Sequence, residues 1–270
     1  MRRIAVGIEY DGSHYSGWQV QHGAPSLQAT LEDALARVAD APVALICAGR
    51  TDAGVHARAQ VGHFDTAAVR ATRAWLLGAN TYLPGDVSVS WVRGVPGHFH
   101  ARYSALARTY RYLILNRASR SALSHRRALL VHQRLDEAAM AQGAQWLHGE
   151  HDFSAFRAAE CQARSPVRAL HALTVRRAGD WIAIDVTANA FLHHMVRNIV
   201  GLLLAIGLGK APPERAQARL ASRARTPGEP TAAAHGLYLW RVHYPAAFGL
   251  PADSAMIGTP SFDAPSRIGP

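Results

Sequence analysis

Residues 43–66, VALICAGRTDAGVHARAQVGHFDT, hold two extended runs separated by a polar turn. The first run, VALIC (43–47), is apolar, and the second is AQVGHFDT (59–66). Between them lie Gly49 and Gly54, a single carboxylate at Asp52, and the cations Arg50 and Arg58. The stretch predicts strands over 43–48 and 59–66 joined by a connection. Upstream, Ile4, Val6, Ile8 and Tyr10 alternate, the period of a half-buried strand. Ser26 can cap a helix in which Leu27, Leu31, Leu35 and Val38 recur at helical spacing. Downstream, a short helical piece carries Trp75, Leu76 and Ala79, and DVSVSWV (86–92) closes the series as a strand. The order is β-α-β-β-α-β.

The second half repeats that order with different residues. TYRYLIL (109–115) reads as a strand, and LDEAAMAQGAQWLHG (135–149) as a helix stopped at Gly149. Strands follow at 167–176 and 181–189, and a helix over 191–208 sets Leu192, Met195, Ile199, Leu203 and Ile206 on one stripe. A short helix (213–223) precedes a last strand, LYLWRVHY (237–244). Two such units imply an α+β fold of two ferredoxin-like (βαββαβ) halves with antiparallel sheets. The expected division is 1–104 and 105–245. Residues 246–270, with four prolines and no periodicity, read as a flexible tail.

The chain has 270 residues, 49% hydrophobic, which is enough for one large or two smaller cores. Its net charge of +10 suits a polyanionic partner such as nucleic acid, although Lys210 is the only lysine and arginine enrichment also reflects composition bias. Cys47 and Cys161 are too few for a disulfide framework or a structural zinc site. The N-terminal apolar stretch ends at Glu9 and Asp11, which is no signal peptide, and IVGLLLAIGL (199–208) is about half a membrane span. The expectation is a soluble, cytoplasmic protein with no membrane association.

Asp52 lies on the connection between the second and third strands, where loop residues carry function. Asp before Ala-Gly also caps its own turn, so turn chemistry and catalysis both account for it. With Arg50 two positions away its charged form is favoured, and an ionised carboxylate can act as nucleophile or base. In ARTYRYLILN (107–116), Tyr110 and Tyr112 share a face; one of the two is expected to contact a base, the other to fill a core. Arg197 sits in an apolar helical stripe, either paired with an anion, for which Asp52 is the candidate, or snorkelling to the surface. The fifteen histidines show no zinc-ligand spacing, so no metal site is expected. GLGKAP (207–212) fails as a phosphate loop, with Leu204 and Ala211 where Gly and Ser/Thr are needed.

Eight blocks in order then give a resemblance. YDGSHYSGWQ (10–19), AGRTDAGVHA (48–57), FHARYSA (99–105), RTYRY (108–112), HDFSAF (151–156), SPVR (165–168), NAFLHHMVRNIVG (189–201) and AHGLYL (234–239) are similar to the tRNA pseudouridine synthase A family. The resemblance implies isomerisation of uridine to pseudouridine in the tRNA anticodon stem-loop, at positions 38, 39 and 40, without cofactor or metal. It implies Asp52 as the catalytic carboxylate, Tyr110 stacked on the target base, Arg197 paired with Asp52, and Arg50 filling the space of the flipped nucleotide. It also implies a homodimer that binds tRNA. Two other readings remain open on the sequence: a non-enzymatic RNA-binding module, and a metal-dependent nuclease using Asp52 with histidines.

Overall fold

The structure is a computed structural model, and it describes residues 1–225 and 230–251. In chain order the elements are β1 (Arg2–Tyr10), α1 (Leu27–Ala39), β2 (Ile46–Cys47), β3 (His56–Thr66), α2 (Thr72–Tyr82), β4 (Val87–Val95) and β5 (Ala107–Asn116). They continue as β6 (Leu129–Val131), α3 (Glu137–Gln145), β7 (Gly149–Asp152), β8 (Val167–Ala178), β9 (Trp181–Ala188), α4 (Met195–Gly207), α5 (Arg215–Ser222) and β10 (Leu237–His243). The chain divides into two compact units: Met1–Tyr110 with the described residues from Leu237 on, and Arg111–Gly236. Mixed α/β structure with mostly antiparallel strands runs through both.

In the first unit the strands lie in the order β4-β1-β3-β10. β1 is antiparallel to β3 and β4, whereas β10 runs parallel to β3. β2 also pairs with β3, through Ile46 and Cys47. It is shorter than the expected 43–48 because the Leu45 N–H donates to Glu32 Oε1 of α1 at 2.8 Å, which takes that backbone off the ladder. Ser26 caps α1 as expected, with Oγ accepting from Ala29 N–H, and the helix buries Leu27, Leu31, Ala34 and Leu35. Phe64 of β3 meets Trp75 of α2 edge-on, so α2 covers the face of the sheet that Phe64 occupies. On the alternating positions, Ala5 and Val61 join Ala48, Phe99 and Ala101 in a second core, with Tyr244, Phe248 and Leu250 packed on it. Phe248 and Leu250 of the expected tail thus pack on the first unit; residues 252–270 lie outside the described residues.

In the second unit the order is β5-β9-β8-β7, with β6 beside β5. Asp136 caps α3 through Ala139 N–H. α4 begins at Met195, four residues later than the hydrophobic stripe suggested, because His194 takes a left-handed conformation (φ 60°) that a right-handed helix cannot contain. Arg111, alternating with Tyr110 and Tyr112 on β5, is buried and grips Asp185 of β9 in a two-pronged pair at 2.6 and 2.8 Å, with Arg176 as a further partner of the same carboxylate. Among the described residues no helix is long and apolar enough to cross a membrane.

Two stability predictions follow from these packings. Asp185→Ala strands the buried Arg111 guanidinium and is expected to destabilise the protein by about 3 kcal/mol, read from urea unfolding. His63 is buried in the second core, and its Nδ1 accepts from Ala101 N–H at 3.1 Å. Burial, helped by His100 and Arg3 and opposed by Asp65, pushes its pKa down to about 4. The folded ring is therefore neutral where the unfolded one binds a proton. Its contribution is present above the ordinary histidine pKa and is lost as pH falls from about 6.5 toward 4. His63→Gln should flatten the pH dependence of the urea midpoint across that window; an unchanged profile would disprove the assignment.

Candidate active site

The connection between β2 and β3, residues 48–55, is braced along its whole length by residues of the first unit. At its start Ala48 N–H donates to Val61 O at 2.8 Å. The fully buried Gln60 side chain holds Gly49 from both sides: its Nε2 donates to Gly49 O at 2.6 Å, and its Oε1 accepts from Gly49 N–H. Arg108 donates Nη2 to Ala48 O and Arg102 O. Burial lowers the pKa of this guanidinium, which makes its two carbonyl partners the compensation for its desolvation.

The middle is held by the segment YDGSHYSGWQ. Tyr10 OH and Thr51 Oγ1 share a buried hydrogen bond of 2.7 Å, and Trp18 N–H donates to Thr51 O at 2.9 Å. Asp52 follows, half-buried, and its carbonyl accepts from Val55 N–H to close the turn that Gly54, at φ +74°, completes. Gly12 packs against the far end so closely that a Cβ there would lie 2.0 Å from Val55 O. Its N–H donates to His56 Nδ1 at 3.1 Å. The order of two distant sequence blocks thus has a local reason: one is the brace of the other.

Tyr110 is buried at the same loop, its hydroxyl close to Gly49. Its pKa is raised first by burial and further by the Asp52 carboxylate, while Arg108 pulls the other way. A neutral phenol and a carboxylate therefore lie within electrostatic reach of each other in a poorly solvated site. Tyr112, the alternative of the pair, is spent on structure: it donates to Ala233 O at 2.8 Å and its ring abuts Gly236. Arg197 belongs to the second unit, where its Nε donates to Ala232 O at 2.8 Å and its charge acts on Tyr112. Arg50 is exposed beside the turn. Cys47, which also lines this region, is pushed up to about 12 by burial despite Arg50, so it stays a thiol and offers no nucleophile. Sequence reasoning did not single out Tyr10, Thr51, Gln60 or Arg108; the one legible trace of the brace is the Gly12 in a polar, aromatic block.

What the arrangement can do is hold a carboxylate rigidly beside a protonated tyrosine, the parts for nucleophilic or general-base attack followed by proton transfer. Comparison with known proteins places the chain in a class. A family model described as tRNA pseudouridine synthase matches residues 7–104 and 144–245. A protein of Methylococcus capsulatus called tRNA pseudouridine synthase A is 56% identical over 259 residues, 96% of each chain. A protein of the same name from Pseudomonas aeruginosa is 53% identical over 250 residues, 92% of this chain and 88% of that one. The chain belongs to the tRNA pseudouridine synthase A family. It is a tRNA pseudouridine synthase, an isomerase that modifies tRNA.

Gly12→Ala tests the brace. The added methyl must displace Val55 O and with it the turn carrying Asp52. A shift of about 1 Å is expected to lower kcat for pseudouridine formation roughly 100-fold, with KM for tRNA near the wild-type value. Unchanged kcat would show that the turn tolerates the displacement.

Proposed function

We propose that this protein converts uridine to pseudouridine at positions 38, 39 and 40 of the tRNA anticodon stem-loop, with Asp52 as the reacting carboxylate and no cofactor. The observation that carries the reading is the braced Asp52 turn with the buried Tyr110 hydroxyl in its field. The reaction breaks the bond between N1 of the base and C1′ of the ribose, turns the uracil over and joins C1′ to C5. All heavy atoms are retained, and in the net reaction one proton is lost from C5 and one is gained at N1. Asp52 is suited to trap a carbon of base or sugar and then depart, because a carboxylate is a competent nucleophile and leaving group. Tyr110, kept neutral, stacks on the extruded uracil and stands where a proton can be passed. Exclusion of water strengthens both interactions.

Arg197 is assigned to Asp52 as its counter-ion and Arg50 to the gap left by the extruded nucleotide; the support for both is the matching of their sequence blocks to the family. The same support carries a homodimer and a cytoplasmic setting. For the architecture we infer two ferredoxin-like halves, 1–104 and 105–245. The order β4-β1-β3 with β2 beside β3 favours the first, and β5-β9-β8 with α3 and α4 the second.

Asp52→Asn is expected to bind tRNA with near wild-type affinity and to form no pseudouridine in a tritium-release assay on C5-labelled transcript. Substantial turnover by that variant would sink the catalytic role. Pseudouridine mapping in tRNA from cells with and without the gene should show loss at 38–40; unchanged sites would remove the positional assignment.

A further inference from the structure

A row of side chains runs outward along the first unit from the end of the Asp52 loop. β10 lies parallel to β3 in the register Tyr238↔His56 and Leu239↔Ala57. Alternation therefore puts His56 and Tyr238, and beyond them Trp240, on one face of the sheet. His56 stacks on Tyr238 with centroids 4.6 Å apart and planes 25° from parallel. Tyr238 meets Trp240 edge-on at 6.4 Å. The guanidinium carbon of Arg58 then lies 4.8 Å from the centre of the Trp240 ring. His56 is buried, whereas Tyr238, Trp240 and Arg58 are all half-exposed, so the row opens to solvent at its outer end.

Arg58 owes its place to an irregularity. Along β1 the pairing passes from Ile8↔Gln60 to Tyr10↔Ala57, so β3 spends one residue more than β1 between those pairs. The extra residue falls at Arg58–Ala59, a bulge, and bulges re-aim side chains beside functional sites. A guanidinium lying on an indole has its apolar face covered and its N–H fork in the plane of the group. That is the pre-organised form in which arginine grips a phosphate. The charge sits six residues after Asp52 on the same connection and strand.

We propose that Arg58, held on Trp240, binds a backbone phosphate of the tRNA close to the nucleotide delivered to Asp52. Arg58 is then a substrate-binding residue and Trp240 its support. The inference rests on the tRNA-isomerase reading above and adds to it a specific phosphodiester contact.

The test uses an unmodified tRNA transcript and the full chain. Arg58→Gln should raise the Kd about 3- to 10-fold and lower the slope of log Kd against log salt by about one. Trp240→Leu, which alters no charge, should weaken binding in the same direction, and Arg58→Lys should weaken binding while keeping the salt slope. Should Arg58→Gln fail to fold, by its urea midpoint, the Lys variant decides: unchanged Kd overturns the proposal. A folded Arg58→Gln with wild-type Kd and slope overturns it as well. If the wild-type protein itself forms no pseudouridine, the enzymatic reading fails; if it does and the Arg58 variants bind normally, only this phosphate contact fails.

Discussion

The hydrogen bond between Tyr10 and Thr51 is the constraint on which the candidate site depends. It joins the end of β1 to the residue before Asp52, and both partners are buried. A connection of this length between two strands has no ladder of its own, and loops without internal bracing sample many conformations. Here the carbonyl of Thr51 is taken by Trp18, that of Gly49 by Gln60, and that of Ala48 by Arg108. Each bond is worth only about 1 kcal/mol net. Their common effect is geometric: the carbonyls of Ala48, Gly49 and Thr51 are fixed on the stretch leading into one carboxylate, which limits the positions Asp52 can occupy.

Burial explains how three tyrosines divide their work. Tyr10, Tyr110 and Tyr112 are all raised in pKa by desolvation, so all three stay protonated and need partners or a purpose for their hydroxyls. Tyr10 is tied to Thr51 and Tyr112 to Ala233. Tyr110 differs in having the Asp52 carboxylate in its field. Removing the bond of Tyr10 would loosen the brace of the Asp52 turn and removing that of Tyr112 its tie to Ala233, whereas changing Tyr110 alters the surroundings of the Asp52 carboxylate. A shared residue type and a shared direction of pKa shift thus accompany unlike roles.

Most of the secondary structure was legible because the core positions repeat at the period of the element they build. Leu27, Leu31 and Leu35 gave α1, with Ser26 as its visible cap. The alternation of Tyr110 and Tyr112 around Arg111 gave β5. Where the reading slipped, a single residue had intervened: Glu32 draws Leu45 off the ladder and shortens β2, and the left-handed backbone of His194 delays α4. The short strands β6 and β7 carry too few residues for any period to show. At the site, Asp52 was conspicuous as an acid among arginines. The brace around it was not, because a bond from Tyr10 to Thr51 spans forty-one positions and no local pattern announces it.

The arginine content needs the same separation of roles. A net charge of +10 describes the whole chain, yet Arg108, Arg111 and Arg219 are buried. They are spent on Ala48 O, Asp185 and Ala155 O respectively. For Arg219, burial pushes the pKa down to about 10, which is still far enough above neutrality to keep the charge. These cations organise the interior, where a guanidinium can satisfy several carbonyls at once. Counterion release on RNA binding must come from the exposed remainder, so composition overstates the binding surface and only position identifies it. A cation seated on an aromatic ring at the rim, as Arg58 is on Trp240, stands between these two populations. It is fixed like the buried arginines and partly exposed like the surface ones, and that combination suits a contact that must locate a phosphate as well as attract it.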